Sequence, residues 1–173
     1  MAVPVAEALG ATLDVVVPHK LGAPGNPELA IGAIAPGVRV LDDRLIGLLG
    51  VSEEYLDDEV RRQEEEIGRR THLYREGREA PALEGRDAVV VDDGVATGAT
   101  AVAALRWARG QSTARVLFAA PVGPPATVRM LADECDDVVV LETPASFFAV
   151  GEWYEDFGQV TDEEVLAALR RGR

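Results

Sequence analysis

The chain has 173 residues, 47% hydrophobic and 27% charged, which suits one folded domain and excludes a disordered chain. Thirty acidic residues against 17 basic ones leave a net charge of −13, so neither nucleic acid nor an anionic membrane is an expected partner. One cysteine, Cys135, excludes an internal disulfide, and with two distant histidines, His19 and His72, leaves no ligand set for zinc.

The start, Met1 to Val5, lacks the basic region of an export signal, and no apolar run approaches the roughly 18 residues of a membrane helix. A soluble, cytoplasmic protein is expected. Lys20 is the only lysine; either a salt-rich cytoplasm or a GC-rich genome accounts for the bias towards acids and arginine.

In chain order, Pro4 helps open a short helix, Val3 to Leu9, that Gly10 stops. Leu13 to Val17 is a β-branched run and predicts a buried strand. Pro18 to Pro27 is dense in turn formers and predicts a loop. Leu29–Ala35 and Val38–Leu41 flank Pro36-Gly37 as a hairpin. Ser52, with Glu53 and Glu54 behind it, starts a helix that runs to about Arg75; its Glu59–Glu66 stretch reads as a solvated face laced with ion pairs. From there strands and helices alternate: strand Ala88–Val91, helix Ala99–Arg109, strand Val116–Ala120, a helix opened by Pro124-Pro125 and ending near Asp133, strand Val138–Leu141. That order implies βαβ units and an α/β fold, a parallel sheet flanked by helices. The β-hairpin and a helical insertion over about 42–80 complete a single domain, 1–173, with a C-terminal hood or tail over about 142–173. Thr161 and Glu164 form a capping box before the last helix.

The segment Ala88-Val89-Val90-Val91-Asp92-Asp93-Gly94-Val95-Ala96-Thr97-Gly98-Ala99-Thr100 carries the chemistry. A strand ends in two adjacent carboxylates, a loop of small residues follows, and a helix begins. Ligands of open parallel sheets bind at the carboxyl ends of strands. Free N–H groups at the helix start suit an anion, and Gly98 permits close approach. Asp92 and Asp93 would repel a phosphate but can accept hydrogen bonds from vicinal hydroxyls or face a divalent cation. A sugar phosphate satisfies both halves of the segment.

The same segment closely resembles the phosphoribosyl pyrophosphate (PRPP) signature of type I phosphoribosyltransferases. The resemblance implies that Asp92 and Asp93 contact the ribose hydroxyls, directly or through Mg2+, and that Ala96, Thr97, Gly98, Ala99 and Thr100 hold the 5-phosphate. The stretch from Val15 to Gly32 resembles the second strand and flexible loop of a bacterial and archaeal subgroup of that family, and with Phe147 to Asp162 the resemblance covers most of the chain. There Lys20 matches a position that reaches pyrophosphate. Two departures stand out. Ala96 replaces the aspartate of hypoxanthine-type members, as in the adenine and uracil enzymes. Met1 to Ala6 looks like the helix that follows the pyrophosphate loop, so a central strand and that loop are expected to be missing.

The remaining candidates carry less. His19, next to Lys20, reads as a loop residue without a role. Phe147, Phe148, Trp153, Tyr154 and Phe157 cluster late and read mainly as cover for the sheet, with one or two rings available to a base pocket. Cys135 sits between Glu134 and Asp136, which disfavour a thiolate.

The function that the resemblance implies is Mg2+-dependent transfer of ribose 5-phosphate from PRPP to a nitrogen nucleophile such as a nucleobase, releasing pyrophosphate. Asp92 and Asp93 would position the ribose and stabilise positive charge at the anomeric carbon. The alternative is a non-catalytic PRPP- or nucleotide-binding module or inactive remnant. A structural alternative is a homo-oligomer built through an exposed sheet edge.

Overall fold

Two three-stranded sheets, one antiparallel and one parallel, share one buried helix between them. The computed structural model describes residues 1–172. After α1 (Ala2–Leu9), the strands β1 (His19–Ala23), β2 (Asn26–Ala35) and β3 (Val38–Leu41) form the antiparallel sheet in the order β1-β2-β3. Helices α2 (Asp43–Leu49) and α3 (Glu53–Arg75) follow. The second half runs β4 (Asp87–Val91), α4 (Ala99–Arg109), β5 (Arg115–Val122), α5 (Pro125–Ala132) and β6 (Asp137–Glu142). Its strands pair in parallel in the order β4-β5-β6, with Ala88 opposite Val116 and Phe118 opposite Val138. A 3₁₀ turn (Val150–Trp153) and α6 (Asp162–Arg171) end the chain.

α4 is apolar almost all round, and a helix of that kind belongs in an interior. Ala101, Val102, Leu105 and Ala108 pack on Val116, Phe118 and Ala120 of the parallel sheet. Ala99, Ala103 and Trp107 meet Ala33, Ala35, Val38 and Val40 of the antiparallel sheet. The alanines let strand and helix approach closely on both sides. A third cluster packs α3 on the hairpin through Leu56, Val60 and Ile67 against Leu21, Ile31 and Ile34. Gly10, at φ 60, stops α1, and the Thr161–Glu164 capping box starts α6.

Two elements differ from expectation. His19–Ala23 is a strand and not part of a loop: Leu21 and Ala23 are buried under α3, and that burial outweighs the local glycine and proline content. The turn shrinks to Pro24-Gly25, with Gly25 at φ 72. Leu13–Val17, in contrast, is not a strand. Leu13 N–H donates to the Gly172 carbonyl, but residues 14–17 form no backbone ladder among the described residues. A cavity of about 320 Å³, lined by Leu13, Val15 and Val16 on one side and Ala88 and Val90 on the other, separates this segment from β4. The outer edge of β4 is therefore unpaired among the described residues. α2 opens the helical insertion expected over about 42–80: Asp42 caps it by accepting from Leu45 N–H, and Gly50 ends it at φ 62. No helix among the described residues is long and apolar enough to cross a membrane.

Candidate functional site

β4 ends at Val91, and its ladder runs on one step: Asp92 N–H donates to the Ala119 carbonyl at 3.0 Å. This places the Asp92-Asp93 pair at the carboxyl edge of the parallel sheet. The Asp93 N–H donates to Asp92 Oδ1 at 2.8 Å. Burial, and then the charge of Asp93, push the Asp92 carboxyl up to about 6. Among the described residues neither carboxylate has an ion-pair partner. Two crowded carboxylates of this kind are completed by hydroxyl donors or by a hard divalent cation. No group of three or more His, Cys, Asp or Glu able to hold a metal occurs among the described residues. Two carboxylates alone would leave most of the shell of such a cation to water and substrate oxygens.

The loop after the pair is held from beneath. Val95 N–H donates to the Val122 carbonyl at 3.0 Å, and Thr127 Oγ1 donates to the Ala96 carbonyl at 2.7 Å. Tyr154 OH donates to the Asp93 carbonyl, and the 3₁₀ turn presses Val150 against Gly94, where a Cβ would lie 2.7 Å from Val150 Cγ1. The loop ends at Gly98, which caps α4 at φ 83. No side chain caps α4, so its first N–H groups, with the Thr97 and Thr100 hydroxyls, are open to an anion. The bare face of Gly98 is turned to α5: a Cβ there would lie 2.6 Å from Met130 Cε and 2.8 Å from Thr127 Cγ2. Glycine is therefore required by helix packing as well as by backbone conformation, whatever the ligand.

A cavity of about 790 Å³ gathers Lys20, Asp92, Asp93, Ala96, Thr97, Gly98 and Thr100. Of the expected site residues, Ala99 alone turns its side chain away, onto the antiparallel sheet. Lys20 lies on β1, half exposed, with its Nζ 3.6 Å from Glu28. The opposite wall is α3, which sequence reasoning missed: Glu59, Arg62, Gln63 and Arg70 all line the cavity. The Glu59–Glu66 stretch is only partly the solvated face expected of it. Arg61–Asp58, Arg69–Glu66 and Arg70–Glu66 are surface ion pairs, but Glu59 is only 4% exposed. The available signal was its place on the Leu56, Val60, Gln63, Ile67 stripe at helical spacing.

The aromatic cluster does not cover the sheet core as expected. Phe148, Trp153 and Phe157 are exposed; Phe147 stacks on Trp153 at 6.5 Å, and Phe157 lines the cavity beside Val150. Cys135 is buried, its thiol pushed up by burial, with Sγ 3.2 Å from the Leu131 carbonyl.

No protein-family model matches the chain. A crystal structure of TT1426 from Thermus thermophilus is similar at a TM-score of 0.77 and 46% identity, over 97% of this chain and 80% of that one. The chain belongs to the family of TT1426. Relatives of this TT1426-like chain include two Mycobacterium tuberculosis proteins, from strains CDC 1551 / Oshkosh and H37Rv, each named "Putative phosphoribosyl transferase". Each is 48% identical over 168 residues, 96% of this chain, and the chain spans 38% of their length.

Proposed function

We propose that the chain transfers ribose 5-phosphate from PRPP to a nitrogen nucleophile of the nucleobase class, releasing pyrophosphate. The observation that carries this reading is the Asp92–Thr100 segment: paired carboxylates at a strand end, without an ion-pair partner among the described residues, lead directly into a helix start that no described side chain caps, inside a cavity large enough for a sugar phosphate. The names of the mycobacterial relatives support the same reaction class.

In this reading the 5-phosphate sits on the N–H groups and hydroxyls of residues 96–100, where the α4 dipole favours negative charge. Asp92 and Asp93 hold the ribose hydroxyls and stabilise the positive charge that grows at the anomeric carbon as the bond to pyrophosphate breaks. Asp92 and Asp93 are the residues that would hold Mg2+, which would supply positive charge for the leaving pyrophosphate. Lys20 on β1 adds a cation for the same group. Val150 and Phe157 give the cavity an apolar side on which a base can rest.

Calorimetry with PRPP and Mg2+ tests the proposal. The wild-type chain binds, and Asp93→Asn weakens binding by on the order of 10- to 100-fold, the loss expected for charged hydrogen bonds of about 1.5–3 kcal/mol. Equal affinity in a folded Asp93→Asn protein contradicts the assignment.

The alternative reading, a binding module without turnover, draws on the unpaired edge of β4 and the 320 Å³ cavity beside it. It predicts that ribose 5-phosphate or a nucleoside monophosphate binds while PRPP yields no pyrophosphate. Pyrophosphate release measured alongside binding separates the two.

A further inference from the structure

Three residues from two elements form a directed relay on the wall of the same cavity. Glu59 of α3 is buried, and a carboxylate paired with the Arg62 guanidinium can only accept hydrogen bonds. Gln63, one turn on, lies with Nε2 2.9 Å from Glu59 Oε1, so this amide nitrogen donates. Its other end, Oε1, must then accept, and it lies 2.7 Å from Nδ1 of His19 on β1. The reverse orientation of the amide would set two acceptors against each other at Glu59. The proton of a neutral His19 is therefore fixed on Nδ1, and Nε2 keeps its lone pair. Nε2 makes no hydrogen bond among the described residues, and His19 lines the cavity that holds Asp92 and Asp93. A histidine held through one nitrogen by an amide that a buried acid orients, with its other nitrogen unbonded among the described residues in a ligand cavity, has the arrangement of a general base.

We propose that His19 is the base that takes the proton from the nitrogen nucleophile during phosphoribosyl transfer. The inference rests on the transferase reading above. As the new N–C bond forms at the anomeric carbon, the C–O bond to pyrophosphate breaks and its electron pair leaves with pyrophosphate. The proton of the attacking nitrogen passes to Nε2, and the imidazolium returns it to solvent. The charged groups that share the cavity with His19 are Lys20 and Glu28 from the antiparallel sheet, Glu59, Arg62 and Arg70 from α3, and Asp92 and Asp93 across the cleft. The relay also gives Glu59 and Gln63 positioning roles, since they set which nitrogen of His19 is free.

The experiment has two readouts on the full chain. In the first, diethyl pyrocarbonate modification is followed by mass spectrometry with and without PRPP and Mg2+. His19 reacts and is protected by PRPP, whereas His72, exposed on α3, reacts equally in both. In the second, pyrophosphate release from PRPP is measured from pH 5 to 9, with water and a panel of nucleobases as acceptors. The wild-type rate rises along an acid limb as the pH is raised, because only the neutral imidazole can take the proton. His19→Asn, whose amide can still donate to Gln63, lowers the rate by on the order of 100-fold and removes that limb. Its PRPP affinity stays within about twofold, far below that loss. Gln63→Leu lowers the rate severalfold and keeps the limb. An unchanged rate and limb in His19→Asn, or no protection of His19, overturns the proposal. Failure of the wild-type chain to bind PRPP, or to release pyrophosphate from the PRPP it binds, overturns the transferase reading instead.

Discussion

On one face of the parallel sheet, Val116, Phe118 and Ala120 are sealed beneath α4 and Leu131 of α5; on the other, Val89, Val139 and Leu141 stand in solvent, Leu141 at 76% exposure. Both faces are built of the same apolar residue types, and a parallel sheet is normally covered on both. The candidate site is rooted in the sealed face. Val95 belongs to its core cluster, and Thr127 of α5 holds the Ala96 carbonyl. The open face and the free edge of β4 carry no part of the site. Order at the ligand loop is thus a property of one face, and the chain can keep that loop while leaving apolar surface exposed.

The comparison breaks most sharply under truncation of a side chain. Phe118→Ala should cost about 3–5 kcal/mol of stability, the usual loss for a buried aromatic. Leu141→Ala on the open face should cost under about 0.5 kcal/mol, as for an ordinary surface change. Urea denaturation of the two variants checks this; similar losses would mean that the open face is covered in solution.

The site itself opposes stability. The Asp92 carboxyl is held up at about 6 against an ordinary 3.8, so the fold favours its protonated form. Its favourable contribution is complete below pH 3.8 and is lost as the pH rises through about 6. At pH 7–8 the ionised group costs the ligand-free fold about 2–3 kcal/mol. Asp92→Asn should therefore raise the Tm at pH 8, raise it about half as much at pH 5, and weaken Mg2+–PRPP binding at both. A destabilised Asp92→Asn protein at pH 8 would contradict the burial argument.

The smallest effect on the fold, but a direct one on the open face, is expected from charge. Val139→Lys and Leu141→Lys should reduce any concentration-dependent association seen in sedimentation, with PRPP affinity unchanged. Loss of ligand binding in these variants would show that the two faces are coupled.

The β4–β6 half was legible from sequence because apolar strands and an alanine-rich helix alternate with short turns, and Asp92 to Thr100 stand where such a unit turns. The hairpin half was harder. Leu21 and Ala23 sit among glycines and prolines, and only burial under α3 makes them a strand. Leu13 to Val17 read as a strand from composition, but strand structure needs a neighbour, and a cavity lies where one would pair. His19, Glu59 and Gln63 were missed for a related reason. The His19–Gln63 contact spans 44 residues, and a buried glutamate inside a charged run looks like its solvated neighbours.

The central claim is that residues 96–100 form a phosphate cradle. It is tested most directly by amide chemical shifts of the labelled chain titrated with ribose 5-phosphate. The largest shifts should fall on Thr97, Gly98, Ala99 and Thr100, with smaller ones at Asp92 and Asp93 and none at Val139 or Leu141. Saturable binding that leaves residues 96–100 unmoved and instead shifts Leu13, Val15 and Val16 beside β4 would contradict it.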